Sequence, residues 1–132
     1  VFWRKGKMAL QKLKIIIDKK PNYLQVYTCG MRSRENVKNI SIKVFNTAIQ
    51  HKLHNILIDV RELIGDFGYS DIYFLVKEVL KDYRGKGVEK VAVIDVHRTT
   101  RPDWFLEPVA HSYGLNIRVF PEEEPALAWL NE

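Results

Sequence analysis

Two short apolar runs limit the folds open to this chain. One is Ile56-Leu57-Ile58, followed by Asp59 and Val60; the other is Val91-Ala92-Val93-Ile94, followed by Asp95. Runs this short and this apolar suit inner strands of a parallel sheet, which are buried on both faces. A stretch of helical periodicity precedes each. Val37, Ile40, Val44, Phe45, Ala48 and Ile49 share one face of a helix that Ser33 can cap and that runs to about Lys52. Ile72, Leu75, Val76, Val79, Leu80 and Tyr83 share one face of a second helix. Ser70 is its expected N-cap, Asp71 lies in its first turn, and Gly85 and Gly87 stop it.

The flanking segments extend the pattern. Residues 12–18 and 23–29 read as strands around the turn signal Lys19-Lys20-Pro21-Asn22, an antiparallel hairpin that Gly30 ends. Thr100, with Asp103 three residues on, can cap a third helix bearing Trp104, Phe105, Val109 and Tyr113. Pro108 should kink that helix or delay its start. Residues 115–120 form a fifth strand. Pro121 and Glu122, Glu123 and Glu124 then open a last helix, whose Ala126, Leu127 and Leu130 face inward. The expected order is β-β-α-β-α-β-α-β-α: an α/β fold with a mixed five-stranded sheet and four helices. There is no internal repeat or low-complexity segment.

Length and composition narrow the function classes. At 132 residues, with 46% hydrophobic and 28% charged residues, the chain reads as one globular domain. Its net charge of +5 is matched by Arg4, Lys5, Lys7, Lys12 and Lys14 alone, and residues 15–132 sum to zero. Residues 1–11 are thus a basic arm ahead of a domain at 12–132 whose charge, apart from Lys12 and Lys14 at its start, sums to zero. They are a native arm or, with Met8 as the natural start, partly a cloning remnant. A domain this near neutral argues against a nucleic-acid footprint. Cys29 is the single cysteine, so no intrachain disulfide forms, and a reducing cytoplasm fits. It is expected to be a buried, inert thiol. No apolar run approaches the roughly 20 residues that span a bilayer.

Two stretches resemble the STAS domain, and more closely its SpoIIAA-like branch of small stand-alone proteins. One is Asn55-Ile56-Leu57-Ile58-Asp59-Val60-Arg61. The other is Ala110-His111-Ser112-Tyr113-Gly114-Leu115-Asn116-Ile117-Arg118-Val119-Phe120, with Glu122, Glu123, Glu124 and Ala126-Leu127-Ala128-Trp129-Leu130 after it. The resemblance covers about residues 12–132 and implies the STAS-like fold. Anti-sigma-factor antagonists of this type carry a phosphorylatable serine between the third strand and the second helix. Here the serine motif is missing, and Ser70 is the one hydroxyl candidate there. The branch is also similar in fold to Sec14-type lipid-exchange domains, which would imply an apolar pocket.

Ligands of open α/β sheets sit beyond the carboxyl ends of the strands. That edge should collect Asp59, Arg61, Asp95, His97, Arg98 and Arg101, a set suited to an anion or to acid–base chemistry. Tyr69, Tyr73, Phe74, Trp104 and Phe105 add aromatics beside the helical core stripes and form a candidate partner surface. His51, His54, His97 and His111 have no zinc spacing, so no metal is expected. No phosphate loop or Gly-x-Ser-x-Gly elbow is present, and no cofactor is expected. The first reading is a non-catalytic module that binds a protein partner, or a second copy of itself, through the aromatic surface. The second is a carrier of a small apolar or anionic ligand in a pocket near Asp59, Asp95 and His97. An enzyme using Asp59, Asp95 and His97 ranks last. A carrier requires a pocket of roughly 300 Å³ or more.

Overall fold

The computed structural model describes residues 12–96 and 105–132. Strands β1 (Lys14–Lys19) and β2 (Leu24–Met31) form the expected hairpin, closed by the Lys20 N–H donating to the Tyr23 carbonyl at 2.9 Å. Ser33 caps α1 (Arg34–Gln50), its hydroxyl accepting from the Asn36 N–H. Strand β3 (Asn55–Ile64) pairs parallel to β2. Helix α2 begins as α-helix at Tyr69–Phe74, widens to π-helix at Leu75–Val79 and tightens to 3₁₀ at Leu80–Tyr83. Strand β4 (Lys90–Ile94), helix α3 (Leu106–Ser112), strand β5 (Ile117–Phe120) and helix α4 (Glu123–Leu130) follow.

The described residues build one mixed sheet in the order β1-β2-β3-β4-β5, with β1 antiparallel and the rest parallel. Parallel strands that step in one direction through right-handed crossovers place every crossover helix on the same face. Accordingly α1, α2 and α3 cover one face, against Val26, Ile56, Ile58, Val91 and Ile117. Helix α4 follows the last strand and turns back under the other face. There Ala126, Trp129 and Leu130 pack on Leu57, Ala92 and Ile94. Alternate residues of β3 and β4 thus serve two cores, which is why both runs are apolar throughout.

Both helical prolines fit without a kink. Pro108 and Pro125 are each the third residue of their helix, where the missing N–H has no intrahelical acceptor. For α3 the proline's effect is a helix that starts in α-helical geometry at Leu106. Its proposed cap, Thr100, lies outside the described residues.

Three local expectations are corrected. Ser70 does not cap α2: Gly68 is the N-cap, and the Asp71 carboxylate accepts from the Gly68 N–H at 2.9 Å. Glycine has no side chain to cap with, so the acid three residues on satisfies the turn from its own side. Cys29 is half-buried, because it points to the sheet face that the crossover helices leave open. Gly30 does not end β2 but sits inside it, opposite Leu63. Its φ of +130° suits glycine, and a Cβ there would lie 3.0 Å from the Leu13 Cα. Gly30→Ala is expected to cost more than about 1 kcal/mol, read as a lower urea midpoint at unchanged m-value.

Candidate functional site

Strands β2, β3 and β4 run parallel, so their carboxyl ends meet at one edge. Arg32 leaves β2 there and reaches across both neighbours. Its Nη1 donates to the Asp95 carboxylate at 2.8 Å, and its Nη2 donates to the Val60 carbonyl at 2.8 Å. The Arg32 N–H donates to the Ile64 carbonyl at 2.7 Å. The pair is well removed from water: the Asp95 side chain is 1% exposed and that of Arg32 is 11% exposed. A buried carboxylate of this kind is tolerable only with a hydrogen-bonded cation beside it.

Arg32 and Asp95 sit at the polar end of a cavity of about 100 Å³ between the sheet and the crossover helices. Its walls are otherwise almost wholly apolar, with Ile58, Phe67, Ile72 and Val93 among them. Pockets for drug-sized ligands start near roughly 300 Å³. This space is about a third of that.

Asp59 and Arg61 lie elsewhere. Asp59 stands opposite Ile94 in the β3–β4 register, one residue before Asp95, and therefore points to the opposite sheet face. Both of its carboxylate oxygens accept from Arg61, Oδ1 from Nε at 3.0 Å and Oδ2 from Nη2 at 2.7 Å. The Arg61 N–H adds a third bond to Oδ1 at 3.0 Å. This closed clamp sits at an irregularity where three steps of β3, Asp59 to Glu62, match two of β2, Tyr27 to Cys29. The sheet therefore splits the expected cluster: Asp95 faces the crossover helices, and Asp59 with Arg61 faces away. His97, Arg98 and Arg101 lie outside the described residues. Arg32, the partner Asp95 does have, is missed when only the ends of β3 and β4 are considered. The parallel end of β2 is the signal that finds it.

The aromatic candidates do assemble. Tyr69 meets the Phe105 ring edge-on at 5.1 Å between centroids, and Tyr73 meets it at 5.6 Å. Phe105 is half-buried as the base of this ridge, while Tyr69 and Tyr73 stay 60% and 49% exposed. Phe74 turns inward against the core, with the Arg34 guanidinium 4.7 Å from its ring centre. Trp104 lies outside the described residues. Ser70 is exposed beside Tyr69, at the second position of α2. Asp71 steadies this end of the ridge. It accepts from the Gly68 N–H and from Arg34 Nε at 2.9 Å, joining the starts of α2 and α1. The Gly68 N–H, and after it Arg34, hold the Asp71 carboxyl below its ordinary value against the opposing effect of burial.

Among the described residues no three His, Cys, Asp or Glu side chains gather in a way that could hold a metal ion. No helix among them is long and apolar enough to cross a membrane.

No protein-family model matches the chain, and no curated protein matches it. Solved structures do. An anti-sigma factor antagonist from Mycobacterium paratuberculosis aligns with a TM-score of 0.59 and 10% identity, over 92% of this chain and 96% of its own. An uncharacterized protein of the DUF3478 family from Shewanella loihica, described as having a SpoIIAA-like fold, aligns with a TM-score of 0.51 and 20% identity, over 89% and 93%. The chain has the SpoIIAA-like, STAS-type fold that its strand and helix order implied. Likeness at these identities speaks for architecture, and function has to be argued from the surface.

Two measurements probe these contacts. Asp95→Ala is expected to cost about 3 kcal/mol in chemical denaturation, the usual result of removing one member of a buried ion pair. Asp71→Ala is expected to cost about 1 kcal/mol at pH 7. Because the folded value of Asp71 is depressed, its contribution is present above the ordinary carboxyl value of 3.8 and is lost as pH falls through the folded value. The gap between wild type and variant should close in acid, and a constant gap would contradict the assignment.

Proposed function

We propose that residues 12–132 form a single cytoplasmic, non-catalytic binding module that recognises a protein partner, or a second copy of itself, through the Tyr69–Tyr73–Phe105 ridge. The observation that carries this reading is the exposure of two tyrosines held rigid by a shared aromatic base. Tyrosines of this kind are favoured at interfaces: each offers a large contact area, a hydroxyl for hydrogen bonding and little side-chain entropy to lose. The Arg34–Asp71 contact and the Asp71–Gly68 bond fix the backbone beneath them. One structural neighbour is named for antagonising an anti-sigma factor, a role played by contact with another protein. Ser70, exposed within the ridge, would be a site where phosphorylation switches such a contact by adding charge.

The competing readings have less support. The apolar cavity is small for a carried ligand. Asp59 is closed on Arg61 and Asp95 on Arg32, on opposite faces of the sheet, so the acid pair of an enzyme is not assembled. The test compares wild type with Tyr69→Ala/Tyr73→Ala. Sedimentation velocity reads self-association, and affinity capture from the source cell reads a partner. The double variant should melt within a few degrees of wild type, as surface changes usually do. Loss of a dimer or of a captured partner is the expected outcome. Retention of every association in the double variant would remove the ridge from the proposal.

A further inference from the structure

The two edges of the sheet are not alike. At one edge, the N–H of Val119 in the middle of β5 donates to Glu107 Oε2 at 2.7 Å, so a side chain from α3 occupies that edge. At the other, β1 pairs with β2 along its whole length on one side. Among the described residues nothing pairs with its other side. A strand left this way presents a row of backbone donors and acceptors to any extended chain.

Beside that edge runs an open groove of about 570 Å³ between β1 and α1. Ile15, Ile17, Asp18 and Lys19 line it from the strand, Lys43, Thr47 and Gln50 line it from the helix, and His51 lines it at the helix C-cap. The two isoleucines are half-buried and provide an apolar floor at a spacing of two, the period of an adjoining strand's side chains. The charge around the floor is positive. Lys19 and Lys43 are exposed on it, and the one acid among its lining residues, Asp18, is held by Lys20 Nζ at 3.0 Å.

We propose that the free edge of β1 and the groove beside it bind an extended, acidic peptide segment of another protein by strand addition. This surface is distinct from the tyrosine ridge and goes beyond the function proposed for it. Backbone hydrogen bonds along β1 supply affinity; alternate side chains entering the groove supply selectivity. Apolar residues of the peptide rest on Ile15 and Ile17, and its carboxylates meet Lys19 and Lys43.

A peptide library displayed on phage and selected on the full chain tests this. A selected peptide is then synthesised and titrated into ¹⁵N-labelled protein. The expected pool alternates apolar residues with Asp or Glu. The expected amide shifts follow β1 and residues 43–51, the last turns of α1 and its C-cap. Lys19→Glu/Lys43→Glu should weaken binding about tenfold or more while leaving the fold intact by its own amide spectrum. No enrichment, shifts centred on Tyr69 and Tyr73, or binding indifferent to the double charge reversal would each overturn the proposal. So would a concentration-dependent dimer whose amide protection maps to β1, which would assign the edge to a second copy. Because the ridge variant Tyr69→Ala/Tyr73→Ala leaves this groove untouched, failure here and failure of the ridge reading are separate results.

Discussion

Arg32 is where the strands of this protein are tied. Its side chain bridges from β2 to the Val60 carbonyl on β3 and to Asp95 beyond β4, and its backbone N–H takes the Ile64 carbonyl. Backbone ladders hold neighbouring strands together, but a ladder joins only two strands at a time. A guanidinium with several donors in a rigid plane can span more. Asp95 needs this arrangement as much as the strands do, since a carboxylate so far from water would otherwise be costly. The pair sits where the apolar core meets the loops, so it also ends the cavity at a fixed place.

The rest of the architecture follows from how one sheet serves two layers. Among the described residues, three crossover helices cover one face and α4 alone covers the other. That helix is eight residues long and covers the β3–β5 half. The outer face of the β1–β2 hairpin therefore has no covering helix among the described residues, and Ile16, Tyr27 and Met31 are exposed on it. The same incompleteness explains why Cys29 is only half-buried and why Asp59 closes on Arg61: a charge on the open half needs a local partner. On the covered half, Trp129 lies between the cations of Lys90 and Arg118, at 5.4 Å and 5.5 Å. Those stems extend the cover of a short helix over its strands.

Much of this was readable from residue order, for reasons that can be named. The runs at Ile56 and Val91 announced inner strands because two-sided burial leaves no polar alternation. Pro21 and Asn22 marked the hairpin, and Ser33 marked the start of α1. What escaped lay in register and in distant pairs. Asp59 and Asp95 look equivalent on paper, each closing an apolar run. A one-residue offset between β3 and β4 sends them to opposite faces, and no local pattern encodes that offset. Arg32 and Asp95 are 63 residues apart and meet only because β2 and β4 flank β3. Ser70 is a familiar cap residue, whereas a glycine N-cap backed by Asp71 leaves a weaker mark in sequence. The tyrosine ridge was legible as surplus aromatics. Its base, Phe105, was legible only as one of several.

Glu107 on the far strand has a consequence of a different kind. A sheet with two bare edges can add strands on both sides, and nothing in its geometry stops the chain of additions. Here the N–H at the middle of β5 is already taken. Among the described residues β1 is the edge without such a block, so strand addition of the kind proposed above would have one site there and none at β5. A strand accepted there would complete a pair and end growth, which would bound the stoichiometry of such an assembly whatever the partner is.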